Sequence, residues 1–267
     1  MSGLAASRKR RAGTDLVCEW VFRPLAHPLV LALLPLRVPP PAVVVAATCV
    51  GFASAVEIGR HELVAAALLL QLKTVLDNAD GQLARLSGRV TAFGRYLDSE
   101  SDLLVNAALF AALGLSIGPA RAALGFVALT FVLGVNFNVE RLYRRERGDT
   151  AEAMPEADGA ARVLARAYAA VYAPQDRLVE SFAERRLRGR SKEARLAWHD
   201  RLTVAVVANF GLSPQLAALG LVLALGKPAT YLYVIVGCAL AFVPLALRRE
   251  RLARRATRVP EPLVALD

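Results

Sequence analysis

The stretch DNADGQLARLSGRVTAFGRYLDSESD, residues 77–102, places four aspartates in two pairs between long apolar segments. Asp77 and Asp80 are three residues apart, and Asp98 and Asp102 are four residues apart. On a helix, each spacing puts the two side chains on one face. A short turn near 87–90 would make the two helices antiparallel neighbours, so we expect the four carboxylates to converge.

Carboxylates in such an apolar setting repel one another unless protons or cations neutralise them. Their hard oxygen ligands suit Mg²⁺ or Mn²⁺. Two such cations suit phosphoryl chemistry, because they neutralise a diphosphate and activate an attacking oxygen. The aspartate pairs therefore predict a site for two divalent cations.

The small residues of the stretch fit a substrate that approaches the backbone closely. Gly81 and Ala84 lie on the same side of the helix as the first aspartate pair, and Gly94 lies one turn before Asp98. Arg85 follows one turn after Gly81, where a guanidinium can hold a phosphate oxygen in bidentate fashion. The pattern indicates a diphosphate or a planar base beside the cations.

The whole chain has the composition of a membrane protein. Of its 267 residues 55% are hydrophobic, and its mean hydropathy of +0.41 is above the range of ordinary soluble domains. A membrane-spanning helix needs about 20 mostly apolar residues. Six segments qualify as predicted spans: 41–57, 62–86, 91–117, 120–143, 201–225 and 229–247.

The net charge of +10 is compatible with nucleic-acid binding, with anionic lipid or with membrane topology. The basic clusters alternate with the predicted spans: they lie at 8–11, around 85–95, in the segment before the fifth span and in the tail. Because short loops rich in Lys and Arg stay in the cytoplasm, both termini and the aspartate site are expected there. The alternation indicates that the charge mostly serves membrane topology, so no nucleic-acid partner is expected.

These observations predict an all-α membrane protein with six transmembrane helices and an N-terminal interfacial amphipathic helix. The polar segment before the fifth span is predicted to form a solvated or surface-bound helical hairpin. The chain divides into a basic N-terminus with the interfacial helix at 1–38, spans one to four at 39–143, a polar helical insert at 144–200, spans five and six at 201–248, and a basic tail at 249–267.

The order Asp77-x-x-Asp80-Gly81-x-x-Ala84-Arg85, followed by Gly94, Asp98 and Asp102, is similar to the signature of the CDP-alcohol phosphotransferases. Every fixed position of that signature is filled. The detailed resemblance covers 77–102, and the six-span layout extends a looser resemblance over the rest.

The resemblance implies an enzyme that transfers a substituted phosphate from a CDP-linked donor to an alcohol and releases CMP. It implies a lipid-embedded homodimer with a cytoplasm-facing cavity, and a role in phospholipid biosynthesis. Asp77, Asp80, Asp98 and Asp102 would bind the metals, Asp102 would also act as general base, and Gly81, Ala84, Arg85 and Gly94 would form the CDP site.

The acceptor is less well defined by the sequence. Lys73 precedes Asp77 by one turn and either pairs with it or contacts a substrate anion, and Arg141 is a candidate contact for a phosphorylated acceptor. Asn136, Glu140 and Asn209 either line this pocket or bond helix to helix.

Two functions besides phosphatidyl transfer to a polar alcohol remain open at this point. In the first, the CDP-linked group is a polar head group that is given to a lipid or a polyol phosphate, a reaction that uses the same motif. A divalent-cation transporter would use the carboxylates as a pathway, but it needs polar residues across the whole bilayer, and the aspartates cluster at one end of their spans.

Overall fold

A computed structural model describes residues 12–149 and 159–257, and within these ranges every regular element is a helix. The all-α prediction is confirmed. A π-helical segment, Cys18–Phe22, leads into ten α-helices: α1 Arg23–Leu33, α2 Pro40–Gly59, α3 Leu63–Leu86, α4 Ala92–Ile117, α5 Pro119–Glu146, α6 Gly159–Leu187, α7 Lys192–Trp198, α8 Arg201–Ala208, α9 Leu212–Ala224 and α10 Thr230–Thr257.

Five helical stretches in the described ranges are long and apolar enough to cross a membrane: α2, α4, α5, α10 and the stretch Lys192–Ala224, which comprises α7, α8 and α9. The predicted second span is also one helix, α3, of 24 residues, but it carries Lys73, Asp77 and Asp80 and is not among the five. The structure therefore supports several apolar membrane helices, and the count of six stays a prediction.

The predicted fifth span, 201–225, is not one continuous helix. α8 ends at Ala208 and α9 begins at Leu212. The Asn209 side chain donates to the carbonyl oxygens of Ala205 at 2.8 Å and Thr14 at 3.1 Å. Asn favours such local bonds with the backbone over helix continuation, which explains the break.

The N-terminal segment is helical, as predicted, and packs against α3. Ala26 and Val30 are fully buried with Ala79 and Leu83 of α3. The outer side of the segment exposes Trp20 and other apolar residues. Its location at the membrane interface stays a prediction, and the basic run at 8–11 lies outside the described residues.

The turn between α3 and α4 makes the two helices neighbours. Gly88 has φ +67°, its N–H donates to Arg85 O, and the Arg89 N–H donates to Ala84 O at 2.9 Å. This is a Schellman motif, which favours glycine at the left-handed position. Thr91 then caps α4, because its side chain accepts a hydrogen bond from the Gly94 N–H.

The largest hydrophobic cluster lies between α2, α3, α4, α5, α9 and α10. Leu70, Leu109, Leu129, Leu219 and Tyr231 are almost completely buried in it. The cluster fixes the apolar halves of α3 and α4, so the charged halves of these helices meet at one end of the bundle.

The polar insert packs against the bundle through α6, which contacts α4 and α5. At the end of α6, Leu187 shares a second cluster with Leu142, Trp198 and Ala253. A bidentate ion pair from Arg195 to Glu146, at 2.6 and 3.0 Å, ties α7 to the end of α5. The basic tail is described only to residue 257, where it continues α10.

Candidate active site

The four aspartates of the quoted stretch lie on two neighbouring helices. Asp77 and Asp80 are on the second half of α3, and Asp98 and Asp102 are on the first half of α4. Carboxylate oxygens of Asp77, Asp98 and Asp102 all lie within 4.8 Å of one another. The structure therefore brings three of the four predicted carboxylates together.

Asp80 differs from the other three aspartates in its burial. Its side chain is 6% exposed, and its Oδ2 has no hydrogen-bond partner among the described residues. A buried carboxylate oxygen without a donor is costly, unless a ligand meets it. The cluster offers only oxygen donors, as Mg²⁺ and Mn²⁺ prefer, and together with the unpartnered Oδ2 of Asp80 this fits divalent cations.

Lys73 joins the two helices at the cluster. Its Nζ donates to Asp77 Oδ1 at 3.0 Å and also to Asp102 Oδ1, and its side chain is 2% exposed. The predicted pairing with Asp77 is therefore present. The contact with Asp102 is new, because it joins residues 29 positions apart that no helical spacing relates.

The predicted donor residues lie beside the cluster on the same helix. The Arg85 guanidinium covers Gly81, since a Cβ at this glycine would lie 3.2 Å from Nη1 and 3.3 Å from Nη2. Gly81, Ala84 and Arg85 are all half-buried. The absence of a side chain at Gly81 leaves room for the guanidinium to lie against this turn of α3.

Gly94 has a local role that the sequence pattern did not indicate. Its N–H donates to Thr91 Oγ1 at 3.1 Å, and a Cβ there would lie 3.2 Å from the same oxygen. This hydrogen bond caps the N-terminus of α4. The predicted role of Gly94 in making room for the donor stays a prediction.

Two polar residues next to the aspartates of α3, Asn78 and Gln82, bind the N-terminal segment. Gln82 is fully buried, donates to Arg23 O at 3.1 Å and lies 3.3 Å from His27 Nδ1. Asn78 Oδ1 accepts a hydrogen bond from Cys18 Sγ at 3.0 Å. These contacts attach α3 to the N-terminal segment. Sequence reasoning missed them because their partners lie more than 50 residues away.

Arg141 lies on α5 and faces α6. It forms an ion pair with Glu180 at 3.0 Å and donates to Asn138 Oδ1 at 2.6 Å. Asn138 in turn donates to Asp176 Oδ1 at 2.7 Å. Its predicted contact with a phosphorylated acceptor stays a prediction, since these bonds show only how the side chain is held.

Three other polar residues considered for the acceptor pocket make packing contacts. Asn136 donates to Val207 O at 2.5 Å, and Glu140 Oε1 accepts a hydrogen bond from the Ala12 N–H at 3.1 Å. Asn209 Oδ1 accepts from the Leu16 N–H at 3.0 Å. They fasten the N-terminal segment and α8 to α5.

The inner face of α6 contacts the first half of α4, which carries Asp98 and Asp102. The Tyr172 hydroxyl donates to Ser99 O at 3.4 Å, and the rings of Tyr168 and Tyr96 are 5.6 Å apart. Burial raises the pKa of the Tyr172 hydroxyl, and the nearby charges of Glu100 and Asp102 raise it further, so this group stays a neutral donor. Sequence reasoning missed this contact, although the tyrosines at 168 and 172 share one helical face.

Comparison with known proteins agrees with the motif. The family model for CDP-alcohol phosphatidyltransferase matches residues 28–172, more than half of the chain. The chain is also 37% identical over 76 residues to a bifunctional IPC transferase and DIPP synthase from Aquifex aeolicus, a match that covers 28% of this chain and 18% of that protein. The resemblance seen in the sequence is confirmed, and the chain belongs to the CDP-alcohol phosphatidyltransferase family of enzymes.

Proposed function

We propose that this enzyme transfers a phosphatidyl group from a CDP-linked lipid, such as CDP-diacylglycerol, to the hydroxyl of a polar alcohol in phospholipid biosynthesis. The acceptor oxygen attacks the lipid-side phosphorus, a new P–O bond forms, and the P–O bond to CMP breaks. CMP leaves, and the hydroxyl proton goes to a carboxylate of the enzyme.

Asp102 is the group that we assign to this proton. Lys73 donates to Oδ1 of Asp102, so we assign proton transfer to the other oxygen of this carboxylate. The same ammonium holds Asp77 and offsets one of the negative charges of the cluster. Lys73 thus acts as a positioning residue in the proposed reaction, and its alternative role as an acceptor contact is not needed.

The donor is proposed to bind along α3 and the start of α4. Arg85 would hold a diphosphate oxygen, and Gly81 and Ala84 would let the nucleotide approach the helix backbone. Gly94 would leave space on the α4 side. The guanidinium is already turned toward Gly81, which supports this placement.

The cations are proposed to bind at Asp77, Asp80, Asp98 and Asp102. Two Mg²⁺ or Mn²⁺ ions would neutralise the diphosphate and make its phosphorus more electrophilic. The aspartates would thereby set the position of the diphosphate relative to Asp102. The Asp102 carboxylate is held in turn by Lys73 and by the packing of α3 on α4.

The observation that carries the proposal is the convergence of Asp77, Asp98 and Asp102 within 4.8 Å, beside a buried Asp80 with an unpartnered oxygen. A purely structural polar network would pair its buried atoms. Metal-assisted phosphoryl transfer explains both the converging carboxylates and the unpartnered oxygen. Membership of the family indicates that the donor is a CDP-alcohol.

We further propose that both termini and the site face the cytoplasm and that the enzyme is a homodimer. The orientation rests on the alternation of basic clusters with spans. It is supported by the arginines at the ends of α5 and α10, which lie at the same end of the bundle as α7. The homodimer rests on the family resemblance alone.

The test is a substrate panel with purified protein in lipid. Several CDP-alcohols are combined with acceptors that do and do not carry a phosphate, and CMP is quantified. The proposal predicts CMP release with CDP-diacylglycerol that depends on a polar acceptor. Release with only CDP-linked polar head groups would favour the reverse assignment of donor and acceptor. Transport of divalent cations without CMP release under any combination would overturn the enzyme mechanism.

A further inference from the structure

α6 has an outward surface that the site does not use. Its inner side packs on α4 and α5 through Tyr168, Tyr172 and Gln175. Since a helix turns about 100° per residue, the remaining residues form two further sides. These two sides differ sharply in chemistry.

One outward side is apolar. Val163 is 67% exposed, Leu178 61% and Phe182 47%. The helical period brings these three side chains into one stripe, which also contains Ala167, Ala170 and, near the C-terminal end of α6, Arg185. Large apolar side chains in a contiguous exposed stripe indicate contact with a partner or with lipid.

The neighbouring outward side is cationic. Arg162, Arg166 and Arg177 are exposed, and the helical period places them on the side of α6 next to the stripe. Arg186 lies over the Phe182 ring at 5.4 Å. Two of the three acidic residues of α6 bind side chains of α5 and do not pair with these arginines. Asp176 accepts a hydrogen bond from Asn138, and Glu180 forms ion pairs with Arg141 and Arg145.

The level at which α6 crosses α5 identifies what covers the stripe. α5 carries no charged residue from 122 to 139, with Phe137 49% exposed, and it is charged from Glu140 onward. The contacts with α6 lie at this transition, from Gly134 with Gln175 to Arg145 with Glu180. Such a transition marks the boundary between the hydrocarbon and the headgroups of a bilayer.

We infer that α6 is an interfacial helix whose apolar stripe lies among the lipid acyl chains and whose arginines face anionic headgroups. The long aliphatic stems of arginine allow the charge to reach the headgroups from this depth. The insert is then attached both to the active-site helices and to the membrane. This inference does not depend on the proposed reaction.

Site-directed spin labelling tests the inference. The three native cysteines are replaced by serine, and single cysteines are placed at Val163, Leu178 and Phe182 on the stripe. Matched controls are placed at Arg162, Arg166 and Arg177. The labelled proteins are reconstituted in nanodiscs that contain anionic phospholipid, and collision rates with O₂ and with a water-soluble nickel chelate are measured.

The expected result is a higher O₂ collision rate and a lower nickel collision rate at the three stripe positions than at the three arginine positions. High nickel accessibility at all six positions would place α6 in water and overturn the inference. Low accessibility to both reagents at the stripe would also overturn it, because a second copy of the protein would then cover the stripe. Neither result bears on CMP release, so the proposed function is tested separately.

Discussion

The α3–α4 pair and α6 both carry charged residues next to the membrane, but they handle the charges in opposite ways. In the α3–α4 pair, the buried Lys73 joins the half-buried Asp77 and Asp102, so opposite charges converge at one point of the bundle. In α6 several arginines are exposed, and two acidic residues bind side chains of α5: Asp176 accepts from Asn138, and Glu180 pairs with Arg141. Charges that converge inside predict chemistry, whereas charges spread over the surface indicate anchoring.

The largest effect is expected from Asp102→Asn. The amide cannot accept the hydroxyl proton, so the rate of CMP release should fall by about 10²- to 10⁴-fold, as for loss of a general base. Steady-state kinetics with saturating donor and metal would measure it. Glu100→Gln is the matched control on the same helix and should retain most activity; an equal loss in both variants would contradict the assignment.

Lys73→Met is expected to rank second. It leaves Asp77 and Asp102 without their shared partner, and removing one member of a buried pair costs about 3–5 kcal/mol. The thermal unfolding temperature in detergent should drop, and added Mn²⁺ should recover part of it, since cations at the cluster replace the lost charge.

Lys73→Arg provides the comparison for that variant. It keeps the charge and should retain more stability than Lys73→Met. Unchanged unfolding temperatures in both variants would show that the ion pair does not contribute to the stability of the fold.

Gly81→Ala is expected to have an intermediate effect on the donor alone. The new Cβ would crowd the Arg85 guanidinium at 3.2–3.3 Å and move it, which weakens one charge-assisted hydrogen bond by roughly 1.5 kcal/mol. The KM for the CDP-linked donor should rise about tenfold with little change in kcat. Gly237→Ala is the control, because no described atom lies within 4 Å of its Cβ position; a similar KM change there would contradict the explanation.

The smallest effect is expected from Tyr172→Phe on α6. The variant loses one hydroxyl bond to Ser99 O, worth about 0.5–1.5 kcal/mol, so CMP release should change less than about tenfold. Tyr233→Phe, at a side chain that is 78% exposed, serves as control. A loss as large as that of Asp102→Asn would show that α6 belongs to the catalytic machinery and would break the contrast between the two regions.

The α3–α4 pair could largely be predicted from the sequence because its signals are local. The spacing of the aspartates gives their common face, and Gly88 and Thr91 mark the turn and the cap. Because of the same charges, α3 is not among the five helical stretches that are apolar enough to cross a membrane. The residues that identify the site therefore also make the number of membrane spans harder to predict.

The rest could not be predicted because it depends on contacts between distant parts of the chain. The bond of Lys73 to Asp102, the bond of Gln82 to Arg23 O and the contact of Tyr172 with Ser99 join separate helices. No periodicity within one helix encodes which neighbour it meets. For the same reason, the composition of the polar insert predicted helices but did not predict that α6 packs against α4 and α5.

The carboxylates of α3 and α4 are proposed to hold the divalent cations on which CMP release depends. The most direct measurement is CMP release from CDP-diacylglycerol by the chelator-treated enzyme, with a polar acceptor that supports turnover by the untreated enzyme, as Mg²⁺ or Mn²⁺ is added back. The account predicts no release without metal and saturable recovery with either or both cations. Full release in the presence of excess chelator would contradict it.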